Sequence, residues 1–327
     1  MKYRNFAGKE SPVSEVGLGT WQLGADWGDL DDMTADRILN QAVDCGVTFF
    51  DTADVYGLGL SETRIGRFIK AHAGKVFVAT KLGRFPEPGG ADNFSLKQFR
   101  LHTENSLRRL GVEALDLTQV HCLPTEVLKQ GDLFEWLRIL KQEGKVKHFG
   151  LSVESMEEAL TCLDQEGVSS LQIIFNIFRQ KPITALFDQA QAKGVSLIIR
   201  LPLASGLLSG KFANDSTFPE NDHRNYNRNG EQFNVGETFA GIPFAKGVEL
   251  SDELKQLVPE GMTLAQMALR WVLDFDAVTV MIPGATTPEQ VRANCSASDL
   301  APLPKGLHQK LKAFYETQVS ALIRGKY

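Results

Sequence analysis

The sequence predicts a parallel (β/α)8 TIM barrel, a single domain over residues 1–327 with a long loop after its seventh strand. Three observations point there. Short apolar, β-branched runs alternate with amphipathic helical stretches, an order that builds a parallel sheet. Eight such units occur in one chain, which favours a closed barrel over an open doubly wound sheet. No GxGxxG fingerprint follows the first strand, where "GLGTWQLG" has other spacing and no helix directly behind it.

The first strand lies in "SEVGLGTW" (14–21). A helix over "TADRILNQAVDCG" (34–46), ending on the C-cap candidate Gly46, leads to strand "VTFFD" (47–51). Helix "SETRIGRFIKAHAG" (61–74) precedes "KVFVATK" (75–81), and "SLKQFRLHTENSLRRLG" (95–111) precedes "ALDLTQVH" (114–121). Then come "LFEWLRILKQEG" (133–144) with "KVKHFGLS" (145–152), and "SMEEALTCLDQEG" (155–167) with "SSLQIIFN" (169–176). "ITALFDQAQAKG" (183–194) leads to "VSLIIRLPL" (195–203), and "TLAQMALRWVLDF" (263–275) to "AVTVMIPG" (277–284). "TPEQVRANCSA" (287–297) opens another helix. Residues 212–247 show no clear period, and a loop that long is usually functional.

Composition narrows the function classes. The chain is 43% hydrophobic and 23% charged, an ordinary globular mix. Its 35 basic and 40 acidic residues give a net charge of −5 with no basic run, so neither nucleic acid nor a membrane surface is an expected partner. The opening "MKYRNFAGKESP" lacks the apolar core of a signal peptide, and no uninterrupted apolar window reaches spanning length. Cys45, Cys122, Cys162 and Cys295 are far apart and read as reduced thiols of a cytoplasmic protein. No apolar stripe demands an interface, so a monomer is expected.

Catalytic groups of such barrels sit at the C-terminal ends of strands. Asp51, Lys81 and His121 end the second, third and fourth strands, and Tyr56 follows Asp51 on a short loop. Four titratable groups thereby fall on one rim. A free phenol has a pKa near 10. A lysine ammonium about 4 Å away is worth about 4 kcal/mol at an effective dielectric of about 20, enough to pull a phenol down towards neutral pH. Asp51 would hold the charge on Lys81, and a neutral His121 could donate to a carbonyl oxygen. The set protonates an oxygen on which negative charge develops, but it holds no nucleophile, no glycosidase-spaced carboxylates and no metal-ligand spacing. The missing reactant is one brought in, such as hydride from a nicotinamide.

"GLGTW", "FFDTADVYG…SETRIG", "VATK", "SLRRLGVEALDLTQVH", "FGLS", "PLASGLLSGK" and "IPGATTPEQVRAN", in that order, resemble the aldo-keto reductase superfamily from about residue 3 to 297. The likeness is closest to the bacterial branch of general-stress-type reductases. It implies a barrel that binds NADP(H) without a Rossmann domain and reduces aldehydes or ketones to alcohols. The family's catalytic tetrad falls on Asp51, Tyr56, Lys81 and His121.

The implied cofactor contacts begin with Gly19, Thr20, Trp21 and Asp51. Ser152 and Gln172 match positions that hold the nicotinamide carboxamide, while Val153 replaces an expected Asn. Arg200 stands where many relatives stack an aromatic ring on the nicotinamide, and is expected to favour the reduced cofactor. Pro202, Leu203, Ser205, Gly206, Leu207, Ser209 and Lys211 are implied around the pyrophosphate. Gly284, Thr286, Gln290 and Asn294 are implied around the 2′-phosphate and adenine, beside a helix opened by Pro288. Thr286 and Gly284 replace basic residues common in the family, so NADPH preference should be weakened, with NAD(H) secondary. Arg292 is a further phosphate candidate.

Trp21, Tyr56, Phe85 and His121 are implied for substrate binding, with Cys122 and Leu123 at the mouth. His223, Arg224, Tyr226 and Arg228 of the 212–247 loop are expected to cover cofactor or substrate. The alternative to an enzyme is a redox-sensing regulatory subunit on the same barrel with little turnover. A Schiff-base aldolase using Lys81 would leave Asp51 and Tyr56 without a task.

Overall fold

A computed structural model describes residues 1–10, 12–24, 30–72, 74–218, 222–225 and 238–327. Eight parallel strands form the barrel: β1 (Leu18–Gly19), β2 (Phe49–Asp51), β3 (Phe77–Leu82), β4 (Leu115–His121), β5 (Val146–Ser152), β6 (Val168–Ile174), β7 (Ser196–Arg200) and β8 (Val278–Met281). Consecutive strands pair in parallel. The ring closes where Val16 bridges Met281 and Gly19 bridges Gly284, with Gly17 N–H donating to Met281 O at 2.8 Å.

Helices fill the crossovers at the predicted places. Asp31, Ser95, Ser155, Thr263 and Thr287 each cap a helix by accepting a backbone N–H, and Ser155 and Thr263 complete capping boxes with Glu158 and Gln266. The segment predicted as one helix over 183–194 is two, Pro182–Ala185 and Phe187–Ala192, broken at Leu186. The helix Phe244–Lys255 begins inside the predicted loop. Its interior Gly247 weakens the helical signal, yet a Cβ there would meet Leu207 Cδ1 at 2.7 Å. A further helix, Lys305–Phe314, lies beyond the barrel. Among the described residues no helix is long and apolar enough to cross a membrane.

Two apolar clusters hold the architecture. The larger lies between the strands and the helices, from Val16 and Leu39 through Trp271 to Phe314. The smaller fills one end of the barrel, where Phe49, Phe77, Leu117, Ile198 and Val280 meet Phe6 and Val13 of an N-terminal hairpin, Tyr3–Arg4 with Val13–Ser14. Phe6 lies 5.1 Å from Phe77, ring to ring. Asp51, Lys81 and His121 lie towards the opposite, C-terminal end of the strands.

Candidate active site

Strand register assembles the polar end. Parallel pairing sets Asp51 beside Gly19 and Ala79, Lys81 beside Gln119, and His121, Ser152 and Gln172 in succession around the rim. Lys81 is 1% and Asp51 2% exposed. Lys81 Nζ donates to Asp51 Oδ1, to Thr52 O at 2.8 Å and to Tyr56 OH at 3.3 Å. These contacts use all three ammonium donors. The other oxygen of Asp51 accepts from Gln119 Nε2 at 3.1 Å and Gln172 Nε2 at 2.7 Å. Gln119 was not among the predicted site residues. Its signal was available: it stands two before His121 on a strand, hence on the same face.

The Tyr56 loop is held by its backbone. Thr52 N–H donates to Ala79 O at 2.8 Å and Asp54 N–H to Lys81 O at 3.1 Å. The turn Trp21–Gly24 packs directly on it: a Cβ on Gly57 would sit 2.3 Å from Gly24 O, and one on Gly24 2.6 Å from Tyr56 C. This close backbone approach lays Trp21 over Tyr56, with ring centroids 5.7 Å apart and an 18° interplanar angle. His121 stands edge-on to Tyr56 at 6.0 Å.

Burial pushes the Tyr56 phenol up, the Lys81 charge pulls it down, and Asp51 pushes it up again, with a net rise. This corrects the expectation of a phenol lowered towards neutrality. Lys81 shares its charge with Asp51, so removing a phenolate from water outweighs the attraction that remains. Burial also opposes the charge on Lys81, but Asp51 and Tyr56 outweigh it and the ammonium is held above its ordinary range. Burial, then the charges of Lys81, Arg84 and Arg200, pull His121 well below the ordinary 6.5. At neutral pH the site therefore holds a protonated phenol, an ammonium and a neutral imidazole. His121 Nδ1 is buried with no hydrogen-bond partner.

A cavity of about 1000 Å³ opens above these groups, large enough for an extended ligand. Gly19, Thr20, Trp21, Asp51, Tyr56 and His121 line it, as do Gln172 and Arg200. Pro202, Leu203, Ser205, Gly206, Ser209 and Lys211 follow along the turn after β7. Gly284, Thr286, Gln290 and Asn294 line it after β8. In the β7 turn Leu201, Ala204 and Ser205 have φ of 55°, 48° and 49°, and Ser205 Oγ is buried without a partner. Such left-handed runs turn backbone N–H groups into anion-binding concavities and concentrate at functional sites. After β8, Gln290 Oε1 accepts from Thr286 N–H at 2.7 Å, and Thr287 caps the helix Pro288–Ser296.

Several implied residues lie elsewhere. Ser152 is fully buried, its hydroxyl 3.6 Å from Cys122 Sγ, and Leu207 is in the core; neither lines the cavity. Phe85 turns away from the cavity, edge-on to His102 at 5.8 Å and beneath the Arg109 guanidinium. Leu123 packs in the core. The aromatic walls come instead from Trp21, Phe212 and Phe239, with Phe239 edge-on to Trp21 at 6.1 Å. Cys122 does line the cavity, and Arg200 Nη2 donates to its Sγ at 3.5 Å and to Val153 O at 3.4 Å. Arg292 pairs with Glu289 at 2.9 Å and with Gln41 on the outer surface. Of the 212–247 loop, Arg224 lines the cavity and lies 4.0 Å over the Phe218 ring. Tyr226, Arg228 and the side chain of His223 lie outside the described residues.

Fold and site together define a barrel oxidoreductase. The chain belongs to the aldo/keto reductase family, whose model matches residues 15–316. It is 28% identical over 307 residues to aldo-keto reductase YhdN of Bacillus subtilis, covering 90% of this chain and 87% of the relative. It is 26% identical to aldo-keto reductase yakc [NADP(+)] of Schizosaccharomyces pombe, covering 87% and 84%. The solved structure of the glycerol dehydrogenase AKR11B4 from Gluconobacter oxydans superposes with a TM-score of 0.79 at 28% identity, covering 99% of this chain and 98% of that one.

Proposed function

We propose that this reductase converts aldehydes or ketones to alcohols, with NADP(H) as its main nicotinamide cofactor and NAD(H) as a slower substitute. The observation that carries the reading is the Tyr56 hydroxyl, 3.3 Å from a buried ammonium, on the wall of a large cavity. The residues present fit a dinucleotide: the unpartnered Ser205 hydroxyl, the left-handed turn around it, and a cation at Lys211. The name of the yeast relative supports NADP(+) as the class. Arg292 is engaged elsewhere, so discrimination for the 2′-phosphate falls to the capped helix start near Thr286, and a modest preference follows.

When bound, the cofactor supplies the hydride that reaches the carbonyl carbon. Tyr56 gives its hydroxyl proton to the carbonyl oxygen as negative charge builds there. Its raised proton affinity suits this direction, because the proton must stay on the phenol until that charge appears. The phenolate left behind faces the Lys81 ammonium, whose charge Asp51 holds, and Gln119 and Gln172 hold Asp51. His121, neutral, donates to the same carbonyl oxygen and fixes its direction. Trp21 covers Tyr56 and keeps water from the proton.

The test is steady-state consumption of NADPH and NADH against a panel of aldehydes, ketones and sugars. Repeated turnover with at least one carbonyl class, faster with NADPH, is the expected result. Tight cofactor binding without multiple turnover on any of them would replace the reductase reading with the regulatory one.

A further inference from the structure

We propose that Cys45 and Cys295 form a dithiol site for peroxide, and that their oxidation to a disulfide loosens the dinucleotide seat after β8. The effect on the cofactor rests on the reductase reading above; the pairing of the two thiols does not.

The two cysteines are far apart in sequence, yet the closed barrel brings them together. Cys45 caps the C-terminal end of the helix Asp32–Asp44, and Cys295 lies in the last turn of the helix Pro288–Ser296. These two helices pack side by side. Gln41 joins them: its Nε2 donates to Cys45 Sγ at 3.3 Å, and its Oε1 accepts from Arg292 Nη1. Gln41 and Cys45 are four residues apart, and Arg292 and Cys295 three, so each pair shares one helix face and the two faces meet. The thiols of Cys45 and Cys295 are within hydrogen-bonding reach of each other, and neither is in a disulfide. Cys295 is 7% exposed and belongs to the larger apolar cluster, while Cys45 is half-buried at its edge.

Burial, then the neighbouring Cys45, push the Cys295 thiol up to about 12, so Cys295 keeps its proton. Cys45 is the more exposed thiol and meets peroxide first. Its sulfur attacks one peroxide oxygen and the O–O bond breaks. The thiol proton leaves with the departing oxygen as water, and Cys45 becomes a sulfenic acid. The Cys295 sulfur then displaces the sulfenic hydroxyl: the S–S bond forms, the S–O bond breaks, and the Cys295 proton leaves in a second water. Together the sulfurs lose two electrons and the peroxide gains them. Bonded sulfurs lie about 2.05 Å apart, much closer than two thiols in contact, so closure draws the last turn of Pro288–Ser296 towards Cys45. Asn294 adjoins Cys295, and its Nδ2 holds Gly284 O at 3.2 Å. Both line the cavity, with Thr286 and Gln290 at the start of the same helix. A pull on Cys295 therefore reaches the residues implied around the 2′-phosphate and adenine.

The experiment oxidises the full chain with hydrogen peroxide and follows it by peptide mapping and by NADPH affinity from fluorescence, in wild type, Cys45→Ser and Cys295→Ala. In wild type a peptide holding Cys45 should appear linked to one holding Cys295, and dithiothreitol should release it. The oxidised protein should bind NADPH about five- to tenfold more weakly and regain its affinity on reduction. Both variants should bind NADPH within about threefold of reduced wild type and keep that affinity after peroxide. Coupling is reciprocal, so saturating NADPH should raise the midpoint potential of the pair in dithiothreitol redox buffers, by about 30 mV for a tenfold change in affinity. A bond with no link to the cofactor seat leaves that midpoint unmoved. Oxidation without a linked peptide overturns the inference, as does a linked peptide with unchanged NADPH affinity and midpoint; the reductase reading stands in both cases. If reduced wild type binds no nicotinamide cofactor, the reductase reading fails, and the linked peptide alone then upholds or overturns the dithiol site.

Discussion

Replacing Asp51 by Asn keeps the side chain's shape and removes the charge opposite Lys81. Lys81 is 1% exposed, and the variant leaves it Thr52 O at 2.8 Å and the Tyr56 hydroxyl at 3.3 Å as its other original acceptors. Stranding one member of a buried ion pair costs about 3–5 kcal/mol, a large part of the roughly 5–15 kcal/mol that keeps a protein folded. The protonation state should change as well. In wild type, burial works against the Lys81 charge, and Asp51 and Tyr56 together raise its proton affinity above the ordinary 10.5. A raised lysine stabilises the fold fully below its unfolded-state value and loses that contribution as pH rises through its folded-state value. With Asn at 51, burial prevails and the proton leaves at lower pH. Guanidinium chloride unfolding at neutral pH should show a loss of about 3–5 kcal/mol. The alkaline limb of kcat/KM should move to lower pH. The double variant Asp51→Asn/Lys81→Met should recover part of the stability without the activity, with a coupling of about 0.5–3 kcal/mol. Wild-type stability and an unmoved alkaline limb in the single variant would refute the reasoning.

Two further perturbations probe separate parts of the account. His121 is depressed below 6.5, so it binds its proton more readily in the unfolded chain; its contribution is fully present above that value and is lost as pH falls below it. The stability difference between wild type and His121→Asn should therefore change with pH below 6.5 by up to about 1.4 kcal/mol per unit, and a flat difference in urea titrations would contradict the buried neutral imidazole. Gly66 lies where a Cβ would meet Arg109 O at 2.2 Å and Leu110 Cα at 2.9 Å, both backbone atoms. Gly66→Ala should cost at least the usual 1–3 kcal/mol or so of overpacking, and an unchanged denaturation midpoint would show that helices Leu60–Ala71 and Leu96–Leu110 do not approach so closely.

The barrel was legible because each unit announces itself locally, through β-branched runs, amphipathic periods and caps such as Ser155 with Glu158. Asp51, Lys81 and His121 were legible for a related reason: a titratable side chain at the end of an apolar strand has a defined place in this fold. Gln119 is harder to read because an amide inside a strand has no chemistry of its own, and its task, holding Asp51 Oδ2, depends on strand register. Phe85 and Phe239 show the reverse difficulty. Which aromatic faces the cavity is set by loop paths, and the outward turn of Phe85 follows from packing on His102 and Arg109. The direction of the Tyr56 shift is not legible in the sequence, because charge can be counted from residue types, whereas desolvation requires knowing how much water is excluded.

The central claim is that the Tyr56 hydroxyl delivers the proton. Single-turnover reduction of a good aldehyde by NADPH in Tyr56→Phe, read beside NADPH affinity from fluorescence, tests it most directly. The account predicts that hydride transfer falls by at least the roughly 10²–10⁴-fold typical of a lost general acid while NADPH affinity stays within about threefold. Transfer at the wild-type rate, with the cofactor bound as before, would contradict it.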